Sequence, residues 1–487
     1  MTTPLDHDVV IVGFGPAGSA LAGLLALRGL SVLAIDRDTD IYPLPRAVHF
    51  DQEVMRVAQE LGLADALVAD TIVNPGMDFL TADRQVLLSM RPGARTPSGW
   101  PASVFFFQPD LEVRLRDRAV ELGALTQLGV GVDGVTDHGT HVEVHLADGS
   151  SVTAAYAVGC DGARSTVRRG LGVEMDDLQF EEPWLVVDLL LHEGATPPSK
   201  LCLQVCDPAR PTTLVPMPPP RFRFEFMLID GDDPTTIGSP DTVRPLLASW
   251  MDPDIAEVER AAVYTFHGLI AHKWREGRVL LAGDAAHMTP PFLGQGMCAG
   301  TRDVANLAWK LERVVRGRSP EGLLDTYQAE REPHVRQIIQ LAVDFGRLIC
   351  TIDPVAAAQR DADMLAARQA ASGDMDAMGM PPLTPGPLVL DGGGDQALQP
   401  SIGGQRLDDL IGPGFAVITR TPAQGAAADW WGAQGARLLD ATTSPEVAAV
   451  LDHLGTDTAV LRPDRYVFTG GAELTVPTGN SHALLGG

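Results

Sequence analysis

A β-branched run, Val9 to Val12, leads into Gly13-Phe14-Gly15-Pro16-Ala17-Gly18, and a helical stretch through Leu21, Leu24, Leu25 and Leu27 follows, stopping at Gly29. A second apolar run, Val32 to Ile35, ends on Asp36. The order strand, tight turn, helix, strand is a β–α–β unit with glycines at its first turn. Gly13 permits the turn, Gly15 lets the backbone approach a pyrophosphate, and Gly18 lets helix and strand pack closely. The helix that starts at Pro16 presents the unpaired N–H groups of its first turn, from Ala17 onward, and partial positive charge to phosphate. Asp36 is placed to accept from a ribose hydroxyl, and Arg37 beside it belongs to the same site. A glycine pattern alone is weak evidence. Gly129-x-Gly131-x-x-Gly134 matches it too, yet Thr136-Asp137-His138-Gly139 and a hairpin follow, with no helix to supply the dipole. That second copy is read as a loop.

The chain has 487 residues, enough for two or three domains. A formal charge of −26 argues against nucleic acid and anionic membranes, because a phosphate surface needs a basic face. Local arginines can still hold a small anion. Cys160, Cys202, Cys206, Cys298 and Cys350 form no C-x-x-C pair and no metal cluster, so reduced thiols and no metal are expected. Asp6 and Asp8 stand where a secretory leader would be positive, and no apolar run reaches ~18 residues. The expectation is a soluble, cytoplasmic protein.

Pro45 to Gly62 reads as a loop followed by an amphipathic helix. Val142, Val144 and Leu146 alternate with polar residues, Asp148-Gly149 turns the chain, and Val152 to Val158 returns as a strand. Trp184 to Leu191, Leu201 to Val205, Arg221 to Ile229 and Ala261 to Phe266 are expected to form one antiparallel sheet. In Arg221-Phe222-Arg223-Phe224-Glu225-Phe226 the phenylalanines share one face and the charges the other. Arg278 to Ala282 reads as a strand that feeds a glycine-rich loop and a long helix from about Thr301 to Val315, with more helix to about Ala371. A Gly/Pro-rich linker follows, then strands near Phe415 to Ile418, Ala436 to Leu439, Ala459 to Leu461 and Tyr466 to Phe468.

Two later segments separate FAD from NAD. Ala157 to Arg169 contains a strand, the turn Asp161-Gly162 and a basic helix. Arg278 to Gly296 carries a buried strand to Gly283-Asp284, then Pro291-Phe292-Leu293-Gly294-Gln295-Gly296 and a helix. An acid at a strand end can bind a polyol, and a helix N-terminus can stabilise an anion beside it. A flavin offers both, a ribitol chain and a reduced ring that is negative at N1.

These three segments, in this order, resemble the group A flavoprotein aromatic hydroxylases, the family of 4-hydroxybenzoate and phenol hydroxylases, over most of residues 1–345. Pro45-Arg46-Ala47-Val48, Trp100-Pro101 leading to Gln108-Pro109, Arg223-Phe224-Glu225-Phe226 and Pro291 to Met297 resemble the 3-(3-hydroxyphenyl)propionate hydroxylases most. The resemblance implies FAD, with NADH or NADPH as transient co-substrate and O2 as oxidant. A flavin C4a-hydroperoxide would then hydroxylate a phenol, a hydroxyphenylpropionate-like compound by preference. It assigns Gly13, Gly15, Gly18 and Asp36 to the ADP half of FAD, and Arg46 and Gln108 to the pyrophosphate and ribityl region. Asp161 would line the groove, Asp284 would bind the ribitol, and Pro291 and Gly294 to Met297 would face the isoalloxazine. Asp36 departs from the family, which more often has Glu.

The implied architecture is a Rossmann-like α/β FAD-binding domain, interwoven with an antiparallel substrate-binding sheet. The first part of the FAD domain, with its hairpin, would span residues 1–180, the substrate sheet 181–275, and the returning FAD domain with long helices 276–372. A linker, 373–400, would lead to a small C-terminal α/β domain, 401–487. This last domain resembles the thioredoxin-like third domain of phenol hydroxylases but lacks C-x-x-C, so packing or homodimer formation is its expected role. His49 is the candidate for phenol deprotonation, and His287 reads as structural. Arg221 and Arg223 are candidates to anchor a substrate carboxylate, against the simpler reading of an exposed sheet face. The Phe222, Phe224, Phe226 stripe reads as core. Alternatives are hydroxylation or Baeyer–Villiger oxidation of a polycyclic polyketide, a flavin-free dehydrogenase, and a non-catalytic binding protein of the same fold.

Overall fold

The computed structural model describes residues 5–93, 96–371, 375–376 and 379–486. Positions of the expected spans that fall between these ranges, among them 373, 374, 377 and 378 of the linker, lie outside the described residues. His7–Val12 lies inside an eight-stranded sheet, parallel to Val32–Asp36 on one side and to Ser151–Gly159 on the other. Val279–Leu281 continues the parallel set beyond Ser151–Gly159, and Leu125–Leu128 continues it beyond Val32–Asp36. His7–Val12, Val32–Asp36 and Val279–Leu281 are covered on both faces over most of their length, which is why their sequences are nearly continuous apolar runs. Helix Pro16–Leu27 covers one face and packs against helices Gln108–Glu121 and Gly296–Val315.

Parallel pairing has a direct consequence for the site. The loops after His7–Val12, Ser151–Gly159 and Val279–Leu281 leave three adjacent strands at the same carboxyl edge. Gly13, Asp161 and Asp284 therefore meet there, although far apart in sequence.

The second sheet has nine strands and is mostly antiparallel. Its long central strands, Met175–Leu191 and Ala256–Ala271, extend well beyond the segments expected from sequence. It also recruits Met77–Leu80 and Val86–Arg91, from outside the 181–275 span, through parallel pairing of Met77–Leu80 with Cys202–Val205. Those two strands are too short to announce themselves by alternation. Phe222, Phe224 and Phe226 pack with Leu185, Val187 and Leu189 beside helix Pro240–Ala248, a core role. The opposite face is no surface: Arg223 is 2% and Glu225 7% exposed. The exposed-face reading is corrected for Arg223, because its face looks into the molecule; Arg221, at the strand's start, is half-buried.

The C-terminal unit is a four-stranded sheet in which Ala416–Thr419 runs parallel to Arg437–Asp440 and antiparallel to Thr458–Leu461. Buried polar ties fasten it to the body. Arg56 Nη2 donates to Asp408 Oδ1 at 2.9 Å, Tyr466 Oη to Glu53 Oε2 at 2.7 Å, and Arg462 Nη2 to Glu330 Oε2 at 2.6 Å. Burial opposes the Glu330 charge, but Arg462 and Lys310 outweigh it and hold the carboxyl down at about 2. Among the described residues no helix is long and apolar enough to cross a membrane.

Candidate functional site

A cavity of about 1080 Å³ opens between the two sheets, and the three sequence segments meet on its wall. Gly13 has φ +97°, a conformation that favours glycine, and a Cβ there would stand 2.4 Å from the Cys160 carbonyl oxygen. A Cβ on Gly18 would stand 2.0 Å from the Gly13 carbonyl oxygen. Gly15 differs: nothing lies within 4 Å of its Cβ position, so the helix start at Pro16 and Ala17 faces open space. This is a cradle that a phosphate can approach closely. Asp36 accepts from the Phe14 N–H at 2.7 Å and the Asp38 N–H at 3.0 Å, which sets its carboxylate at the cavity's edge. Arg37 is exposed at the same rim.

Asp161 Oδ2 accepts from the Thr166 and Val167 N–H groups at 2.6 and 3.2 Å. Its other oxygen is buried with no partner among the described residues, which is costly unless a ligand supplies one. Asp284 lies deep in the molecule, yet its side chain is open because it projects into the cavity. Burial raises its carboxyl above the ordinary range, against the pull of His287 and Arg46. Gly283, at φ +62°, lets this turn press against Ala17 and Gly300. Beyond it, Pro291–Leu293 and Gly294 lead into helix Gly296–Val315, whose start at Gln295, Gly296 and Met297 borders the cavity without a side-chain cap. Unpaired N–H groups there suit an anionic ring edge.

Arg46 is exposed at the rim and free to meet a pyrophosphate. Gln108 borders the cavity and also positions the Arg46 loop. Its Oε1 accepts from the Arg46 and Ala47 N–H groups at 2.9 and 2.7 Å, and its Nε2 donates to Glu112 at 2.7 Å. Its oxygen holds the Arg46 loop, and its NH2 has a second N–H beyond the one given to Glu112. His287 is buried, bound through Nε2 to Asp303 at 2.7 Å, and lies outside the cavity lining.

The anchoring arginines are corrected. Arg223 donates through Nε to Asp188 Oδ1 at 2.7 Å, through Nη2 to the Pro45 carbonyl at 2.7 Å, and through Nη1 to the Arg46 carbonyl at 2.9 Å. Arg221 lies over the Phe107 ring at 3.7 Å, near Glu259 and away from the cavity. Neither offers a free fork for a carboxylate.

His49 does line the cavity, on strand His49–Asp51, which pairs with Ser103–Phe105, itself paired with Ile72–Val73. His49 Nδ1 is 3.1 Å from the Gly294 carbonyl, His49 Nε2 is 2.7 Å from Ser103 Oγ, and Asn74 Nδ2 donates to Ser103 Oγ at 2.8 Å. A carbonyl only accepts, so Nδ1 carries the proton and Nε2 accepts from Ser103. Burial lowers the His49 pKa below 6.5, which keeps the ring neutral. Ser103 and Asn74 had no signal in the sequence, because they sit at the ends of strands only two or three residues long.

Residues 6–342 match the family described as FAD binding domain. The chain is 40% identical over 488 residues to the probable NADH-specific resorcinol 4-hydroxylase of Rhodococcus jostii (strain RHA1), covering 95% of this chain and 91% of that protein. It is 34% identical over 507 residues to the 3-(3-hydroxy-phenyl)propionate/3-hydroxycinnamic acid hydroxylase of Burkholderia cenocepacia (strain HI2424), covering 94% and 93%. The structure of aklavinone-11 hydroxylase in a ternary complex with FAD and aklavinone is similar throughout. Its TM-score is 0.80 at 26% identity, with 99% of each chain covered.

Proposed function

This chain belongs to the FAD binding domain family, and from that membership we infer that it is an FAD-dependent monooxygenase that hydroxylates a phenolic ring with NADH and O2. The observation that carries the reading is the meeting of Gly15, the unpartnered Asp161 oxygen and the Asp284 carboxylate on one cavity. The residues present fit FAD. Gly13 to Gly18, Asp36, Arg37 and Arg46 would hold the dinucleotide half. Asp161 and Asp284 would take hydroxyls of the polyol, and Pro291 with Gly294 to Met297 would face the ring. Bound FAD supplies the redox chemistry, taking a hydride from NADH and activating oxygen for transfer to the ring. The purified protein should be yellow, and a phenolic substrate should accelerate flavin reduction by NADH. Indifference to every phenol tried would defeat the reading.

What the protein adds is a proton path. A phenol is a better nucleophile at its ring carbons when its hydroxyl is ionised. Asn74 occupies one lone pair of Ser103 Oγ and leaves another for the phenol hydroxyl. As the Ser103 proton moves to His49 Nε2, the phenol proton moves to Ser103 Oγ. Phenolate and imidazolium result, and the Gly294 carbonyl steadies the imidazolium through Nδ1–H. Ser103→Ala should slow product formation on the order of 100-fold, the usual scale of a lost acid–base partner. The sign with pH follows from His49: protonated imidazole cannot accept, so the rate falls as pH drops through a value below 6.5. In Ser103→Ala that limb should vanish. A variant with the same limb and full product yield would remove Ser103 from the path.

Asp284→Ala should weaken FAD binding roughly tenfold, the scale of one lost hydrogen bond to a charged acceptor. Titrating apoprotein with FAD measures this, and an unchanged affinity would dismiss Asp284 as a polyol acceptor.

A further inference from the structure

The cavity-facing side of the second sheet carries one continuous cross-strand row. Val186 stands opposite Glu225, Glu225 opposite Thr213, and Thr213 opposite Gln204. Directly opposed residues of neighbouring strands share a face, and all four border the cavity. Thr213 Oγ donates to Gln204 Oε1 at 2.6 Å, which orients that amide and leaves its NH2 free of partners among the described residues. Glu225 is the unusual member. It is 7% exposed, accepts no hydrogen bond among the described residues, and stands 3.7 Å from the nearest cation, Arg223 Nη1. That separation is too long for a hydrogen bond. A buried carboxyl without a partner is costly, and here the open side is the cavity.

We propose that Glu225, with Gln204 and Thr213 beside it, is the receptor for a second, uncharged hydroxyl on the substrate ring. This deepens the monooxygenase reading and rests on it. The neighbouring charges favour a hydroxyl over a carboxylate. Arg223 is held by Asp188 and two backbone carbonyls, and Arg260 donates to the Pro45 carbonyl at 2.6 Å and to Tyr264 Oη at 3.1 Å while pairing with Asp188. Asp188 and Glu225 already match these two guanidiniums charge for charge, so an added carboxylate would be buried without a countercharge. A hydroxyl both donates and accepts, so it is served whether Glu225 is ionised or not. A methyl group in the hydroxyl's place would leave these polar atoms unsatisfied, and sites built for hydrogen bonding reject such analogues strongly.

The test compares 1,3-dihydroxybenzene, 3-methylphenol and 3-(3-hydroxyphenyl)propionate on FAD-loaded protein, by perturbation of flavin absorbance for Kd and by coupled turnover for kcat/KM. Wild type should prefer the dihydroxybenzene over both others. Glu225→Leu should cut its preference for the dihydroxybenzene over 3-methylphenol by roughly ten- to a hundredfold, the worth of one or two buried hydrogen bonds. Glu225→Gln, which still donates and accepts, should retain most of that preference. Because Glu225→Leu could disturb the sheet, Gln204→Leu serves as a second variant and should move the ratio in the same direction. Unaltered ratios in both Leu variants, or tighter binding of the propionate by wild type, would overturn the assignment while leaving the monooxygenase reading standing. If no phenol speeds flavin reduction in wild type, both fall together.

Discussion

Gly15→Val is expected to leave the protein folded and to lower its affinity for FAD by about a hundredfold. The backbone at Gly15, φ −72° and ψ −168°, is one that any residue adopts, and no atom lies within 4 Å of its Cβ position. Nothing in the protein itself opposes a side chain there. The cost falls on the ligand, because a branched side chain stands where a pyrophosphate must come to reach the N–H groups of helix Pro16–Leu27. Losing one or two charge-assisted hydrogen bonds, at about 1.5–3 kcal/mol each, accounts for the hundredfold. At Gly13 the same change would meet the Cys160 carbonyl at 2.4 Å, so there fold and ligand could not be separated. An FAD titration beside a thermal melt makes the measurement. A wild-type Kd in a variant that melts normally would mean the dinucleotide lies elsewhere.

Arg302→Ala should cost about 3–5 kcal/mol of stability, the usual result of removing one partner from a buried charged cluster. Arg302 is 4% exposed and pairs with Asp51, with Glu53 Oε1 at 2.8 Å and with Gln295 Oε1 at 3.0 Å. Without it, two buried carboxylates face each other uncompensated. The damage would spread along the ties: Asp51 caps helix Gln52–Glu60, Glu53 accepts from Tyr466 of the C-terminal unit, and Gln295 begins the helix at the candidate ring site. Urea denaturation should show the loss. Replacing all three charged groups together, as Arg302→Met with Asp51→Asn and Glu53→Gln, should recover much of it, because the unpaired charges are then gone. A loss below about 1 kcal/mol in Arg302→Ala would show that the cluster is not the clamp described here.

The predictions differ in what made them possible. Gly15 and Asp284 could be named from the sequence alone, since a glycine turn between an apolar strand and a helix has few other uses, and an acid ending a buried strand has few partners of its own. Arg302, Ser103, Asn74 and Glu225 could not. Their roles come from partners distant in sequence: Arg302 reaches Asp51 and Glu53, and Ser103 reaches His49.

The strand Arg221–Met227 marks the boundary. Its alternation told that the phenylalanines and the charges lie on opposite faces, and the structure agrees. Alternation has a period of two and says nothing of what each face meets. A sheet buried on both sides can carry arginine and glutamate inward when remote chain segments bring their partners, as Asp188 and the Pro45 loop do for Arg223. Gln108 shows the same limit, since the sequence could not tell that its amide oxygen holds the Arg46 loop. By itself the amino-acid order determined the nucleotide cradle, the parallel strands and the acidic turns, because glycine torsions, apolar runs and helix starts are short-range properties. Which polar side chains remain free to act was decided only when distant segments packed together, because a hydrogen-bonding group is available only if no neighbour has already satisfied it.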